Sequence, residues 1–92
     1  MSESVTIDLP QRLTIAQVEA LHEMLEPALH DSCDVVLNGA EVSHADTAGL
    51  QTLLAFAKAL ESRSLQLSWA ASSAVLKDSA SQLGLQQGLC LQ

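Results

Sequence analysis

Asp34-Val35-Val36-Leu37 runs into Asn38-Gly39-Ala40-Glu41-Val42-Ser43-His44-Ala45-Asp46-Thr47-Ala48-Gly49-Leu50-Gln51, and this stretch decides the fold. The first four residues form a short apolar run, which reads as a buried strand. From Leu50 the apolar residues recur at Leu53, Leu54, Ala57 and Leu60, the spacing of one helical face. That predicts a helix from about Thr47 to Glu61. Between strand and helix lies a polar loop that delivers an acid and a hydroxyl, Asp46 and Thr47, to the helix start. Such a start carries unpaired N–H groups and a partial positive charge. Asp46 is therefore expected to cap the helix, and a hydroxyl there sits where an anion, including a phosphate, is tolerated.

On the N-terminal side, Ser4 to Leu9 alternates, with Val5, Ile7 and Leu9 facing one way, and reads as a half-buried strand ended by Pro10. Leu13 is expected to plug the core. Thr14-Ile15-Ala16-Gln17 has the form of a capping box. It opens a helix to about His30 on the stripe Val18, Leu21, Leu25 and Leu29, in which Pro27 should cause a kink or an early end. On the C-terminal side, Ser64 to Trp69 alternates as a third strand. Ser72 or Ser73 caps a third helix with an apolar face of Val75, Leu76, Ala80 and Leu83, and Gly84 closes it. Leu89-Cys90-Leu91 is expected to form a short edge strand or to fray.

The order strand–helix–strand–helix–strand–helix predicts an α/β fold: a mostly parallel sheet of three to four strands with about three helices, in one domain over residues 1–92. The composition narrows the function. Eleven acids face only Arg12, Lys58, Arg63 and Lys77, a formal net charge of −7. Four scattered cations make no basic stripe, so nucleic acid and anionic membrane surfaces are not expected partners. No run approaches the ~20 apolar residues of a membrane span, and the acidic start lacks the features of a secretion signal, so a cytoplasmic location is expected. Cys33 and Cys90 make no C-x-x-C motif, and His22, His30 and His44 have no metal-ligand spacing; neither metal nor cofactor is expected.

In open α/β sheets the functional loops lie beyond the carboxyl ends of the strands. Asn38, Glu41, Ser43, His44, Asp46 and Thr47 populate the longest of them. Ser43, His44 and Asp46 are the residue types of a hydrolytic triad, but they lie within four positions of each other, too local for a pocket. No nucleophile elbow or phosphate-cradling glycine loop accompanies them, so no enzyme activity is expected.

Asp46-Thr47-Ala48-Gly49-Leu50, following Val35-Val36-Leu37 and Val42, resembles the D-[ST]-x-G-[LI] segment of STAS domains, the family named for sulfate transporters and anti-sigma factor antagonists. Leu13-Thr14-Ile15-Ala16 and Gln82-Leu83-Gly84-Leu85 support the match. The resemblance implies a non-enzymatic module that docks on a protein. In the antagonist branch it implies a hydroxyl phosphorylated by a serine/threonine kinase-type anti-sigma factor, here Thr47. It implies a binding surface of Ser43, His44, Asp46, Thr47, Gly49 and Leu50. The leucine-rich wording Gly49-Leu50-Gln51-Thr52-Leu53-Leu54 is closest to stand-alone bacterial members linked to chemotaxis. The alternative is the cytoplasmic STAS subunit of a phospholipid-transporting ABC complex, docked on its ATPase. The chain departs from the family in three ways. It lacks the usual strand ahead of Val5 to Leu9, it has Asn38 where many relatives have Asp, and it has Thr rather than Ser as acceptor.

Overall fold

Three parallel strands form the main sheet in the computed structural model, which describes residues 4–91: β1 (Ser4–Asp8), β3 (Asp34–Gly39) and β5 (Leu67–Ser72), in the order β1-β3-β5. The helices are α1 (Val18–His30), α2 (Thr47–Ser62) and α3 (Ala74–Gln82). Strands laid down in one direction through right-handed crossovers carry their helices on one face. The burial follows: Val35, Leu37 and Gly39 of β3 are buried with Ile7, while the row Thr6, Val36 and Ser68 stands on the opposite, more open face. Leu21 and Leu25 of α1 and Leu50, Leu53, Phe56 and Leu60 of α2 complete the core. Each such side chain is worth roughly 1.5–3 kcal/mol when fully buried. None of the described helices is long and apolar enough to cross a membrane.

A second sheet was not foreseen. The two-residue strands β2 (Arg12–Leu13) and β4 (His44–Ala45) pair in parallel, with Arg12 opposite His44 and Leu13 opposite Ala45. They tie the entry of α1 to the entry of α2. Leu13 is fully buried, as its role as a plug requires.

Several local expectations are corrected. The Thr14 capping box does not form: the Thr14 hydroxyl meets the Gln17 side chain, and Ile15–Gln17 is a 3-10 turn ahead of α1. Of the two outcomes expected at Pro27, the early end does not occur, and α1 runs to His30, its expected limit. Val5 shares the face of Ile7 but is 37% exposed at the start of β1, so only Ile7 and Leu9 of that face are buried. The third strand begins at Leu67, because Ser64 and Leu65 are used to terminate α2. Val75 and Leu83 are exposed, leaving Leu76 and Ala80 as the buried face of α3, capped as expected by the Ser73 hydroxyl. The tail is neither strand nor frayed. Leu89 and Leu91 are buried, and the Trp69 indole N–H donates to the Leu89 carbonyl at 2.7 Å.

All three helices stop in one manner. After α2 the Leu65 N–H returns to the Leu60 carbonyl and the Ser64 N–H to Glu61, with Ser64 left-handed at φ +59°. Cys33 and Ser32 repeat this after α1, and Leu85 and Gly84 after α3. This is the Schellman closure, in which glycine favours the left-handed position. Only Gly84 meets that preference. Ser64→Gly is therefore expected to stabilise the protein by ~0.5–1 kcal/mol, raising Tm by about 3–6 °C in a melting curve. A lowered Tm would show that the serine side chain holds the turn.

Candidate functional site

The helix starts and the loops feeding them meet at the carboxyl end of the sheet, and Asp46 is the residue that joins them. It precedes α2 in an extended conformation, and its Oδ1 accepts the Gly49 N–H at 2.9 Å. Its Oδ2 accepts the Ile15 N–H, also at 2.9 Å, at the entry to α1. Its own N–H donates to the Leu13 carbonyl at 3.0 Å. One carboxylate thus caps α2 and takes the first free N–H at the entry to α1.

These amides set the electrostatics. The Gly49 N–H first, then the Ile15 N–H, and to a lesser extent Ala48, hold the Asp46 pKa below its ordinary 3.8, against a smaller opposing effect of burial. A depressed folded-state pKa contributes stability that is present above the unfolded value and lost as pH falls through the folded one. Asp46→Asn presents one acceptor oxygen where two amides need partners, and its NH₂ group faces an N–H. The variant is expected to melt below wild type at pH 7, with the gap narrowing below about pH 4 as the wild-type carboxylate protonates. A gap of the same size at pH 3 would show that charge is not what Asp46 contributes.

Thr47 is the first residue of α2 and is exposed. Ser43 and His44 are exposed beside it, with Ser43 Oγ 3.1 Å from His44 Nδ1. The backbone N–H groups of both donate to the Gln11 carbonyl, which fixes the loop against β2. Ser43, His44 and Asp46 do not form a relay, because both Asp46 oxygens are turned to backbone amides.

Two of the expected contact residues have no surface to offer. Leu50 is fully buried in the core. Gly49 is buried against the Leu13 backbone, so close that a Cβ would lie 2.0 Å from the Leu13 oxygen. Both pack inward at the start of α2. Sequence reasoning missed Ile15, which is 71% exposed and anchored next to Thr47 through Asp46. No pattern separates it from the core stripe that starts three residues later, because its exposure follows from the 3-10 turn. The exposed rim is Arg12, Ile15, Ser43, His44 and Thr47, an apolar anchor among polar groups.

A family profile described as Mlab, STAS domain, matches residues 1–92. Among solved structures, the anti-sigma factor antagonist SpoIIAA in its unphosphorylated form is similar, at 20% sequence identity and a TM-score of 0.76 over 95% of this chain and 77% of that one. At this identity the likeness establishes the shared fold. No curated protein sequence matches significantly.

Proposed function

The chain belongs to the STAS domain family, and on that premise we propose that it is a bacterial, cytoplasmic docking module switched by phosphorylation of Thr47. The observation that carries this reading is the exposed hydroxyl at the first position of α2, beside an apolar anchor and clear of the core. A phosphate there adds about −1.5 to −2 charge and three acceptor oxygens. The helix dipole favours it by ~0.3–1 kcal/mol at an exposed end. Asp46 opposes it only in part, because its carboxylate is engaged inward by the Gly49 and Ile15 amides. The unphosphorylated rim binds a kinase-type anti-sigma factor or a related signalling protein, including one of a chemotaxis system. The phosphorylated rim releases it.

The same exposed threonine supports a second reading. Its hydroxyl serves as a permanent docking contact on the ATPase of a phospholipid-transporting ABC complex, with no phosphate involved. Capture of partners by wild type, Thr47→Ala and Thr47→Glu separates the two. The switch requires that Ala retains capture and Glu abolishes it. Loss with Ala as well as Glu supports the permanent contact. Capture unaffected by either change places the binding surface elsewhere. Intact mass of the protein from its native cells shows whether the phosphate is carried.

A further inference from the structure

We propose that the edge of β5, unpaired among the described residues, is a self-association surface, on which a second copy of this chain adds its own β5 in antiparallel pairing about a two-fold axis at Ser68. The Val35 N–H donates to the Gln66 carbonyl, and Val35 stands opposite Leu67. In a parallel ladder the bonding residues alternate, so Gln66 and Ser68 turn their backbone groups to β3 while Leu67 and Trp69 turn theirs outward. Beside them runs a groove of about 690 Å³ lined by β5, Lys77, Cys90 and Leu91. The irregularity in the β3–β5 register falls after Leu37, which faces Trp69, so the run Leu67–Trp69 is regular.

Two of the devices that usually protect an edge are missing from the sequence of β5. No charge or proline occurs between Ser64 and Ser73. Charge distribution also favours a second copy. Residues 61–92 hold two cations, Arg63 and Lys77, against two acids, Asp78 and Glu61, the latter lining a hollow with Leu67 and Cys90. A chain of net charge −7 can therefore meet itself on this side with little repulsion.

The geometry is self-complementary. With the axis at Ser68, Leu67 of each copy faces Trp69 of the other as a hydrogen-bonded pair, giving four backbone bonds. Leu67 and Trp69 are each only partly buried in the single chain. Pairing an aromatic with an aliphatic residue across strands covers what remains of both. Ser68, exposed on the open face of the sheet, faces its own counterpart. The product is a continuous six-stranded sheet with all helices on one side, and Thr47 takes no part in it.

Sedimentation equilibrium in reducing buffer, from roughly 10 µM to 1 mM, tests this. Wild type is expected to approach twice its 9.7 kDa as concentration rises. Ser68→Lys and Ser68→Glu place like charges directly opposite and should each weaken the dimer at least tenfold, with the fold retained by circular dichroism. An equimolar mixture of the two should recover a dimer at least as tight as wild type. A wild type that stays monomeric throughout, single variants that dimerise as tightly as wild type, or a mixture that fails to recover each overturns the proposal.

Discussion

Gly49→Ala is expected to remove a large part of the stability of the chain. Two effects compete. Alanine is the better helix former by ~1 kcal/mol, and position 49 lies in the first turn of α2, so propensity alone predicts a gain. Against this, the added methyl would sit 2.0 Å from the Leu13 oxygen and 2.4 Å from its carbonyl carbon. Those are backbone atoms. Leu13 cannot retreat, because its side chain is fully buried, its carbonyl accepts the Asp46 N–H, and β2 is paired with β4. Relief means separating α2 from β2, which also pulls Asp46 off the Ile15 N–H. The loss should be roughly 3–5 kcal/mol, out of the ~5–15 kcal/mol typical of a folded domain. Urea unfolding monitored by circular dichroism measures it. A midpoint at or above wild type would mean that α2 does not press on Leu13 as described.

The position of Gly49 shows where sequence reasoning succeeds and where it stops. The order of elements, the parallel sheet, the start of α2 at Thr47 and the cap by Asp46 are all local consequences of pattern: alternation, helical periodicity, and a short acid before an apolar stripe. The misreadings arise where a local pattern is satisfied by a distant residue. Thr14 and Gln17 have the right spacing for a capping box, but their side chains meet each other, and the neighbouring Ile15 N–H is taken by Asp46, 31 positions away. Leu65 continues the alternation of the third strand, yet its N–H is used to close α2 on Leu60. Leu89 and Leu91 look like a loose end until Trp69 donates to the carbonyl between them and the core closes over both. Gly49 and Leu50 belong to the same motif as Thr47, and a motif records residues kept together without separating those that hold the site from those that present it. Only the third dimension makes that division.

Thr47→Glu is expected to leave the fold intact and to weaken docking by ~30- to several-thousand-fold. Stability should barely change, because an acid in the first turn of a helix is favoured by the dipole by up to ~1 kcal/mol and Thr47 is exposed. Docking is different in kind. A partner that closes over Ile15 and Thr47 removes water from whatever group stands there. An unpaired charge left in that contact costs ~2–5 kcal/mol, which at ~1.4 kcal/mol per tenfold gives the stated range. Thr47→Ala removes a hydroxyl alone, ~0.5–1.5 kcal/mol, and so at most about tenfold. The ratio between the two variants therefore carries the information. Titration calorimetry with the protein captured by wild type, beside the melting temperatures of all three forms, reads both quantities. Equal affinities for Ala and Glu would leave the charge without effect, and the switch would have to be given up even if docking at this rim survived.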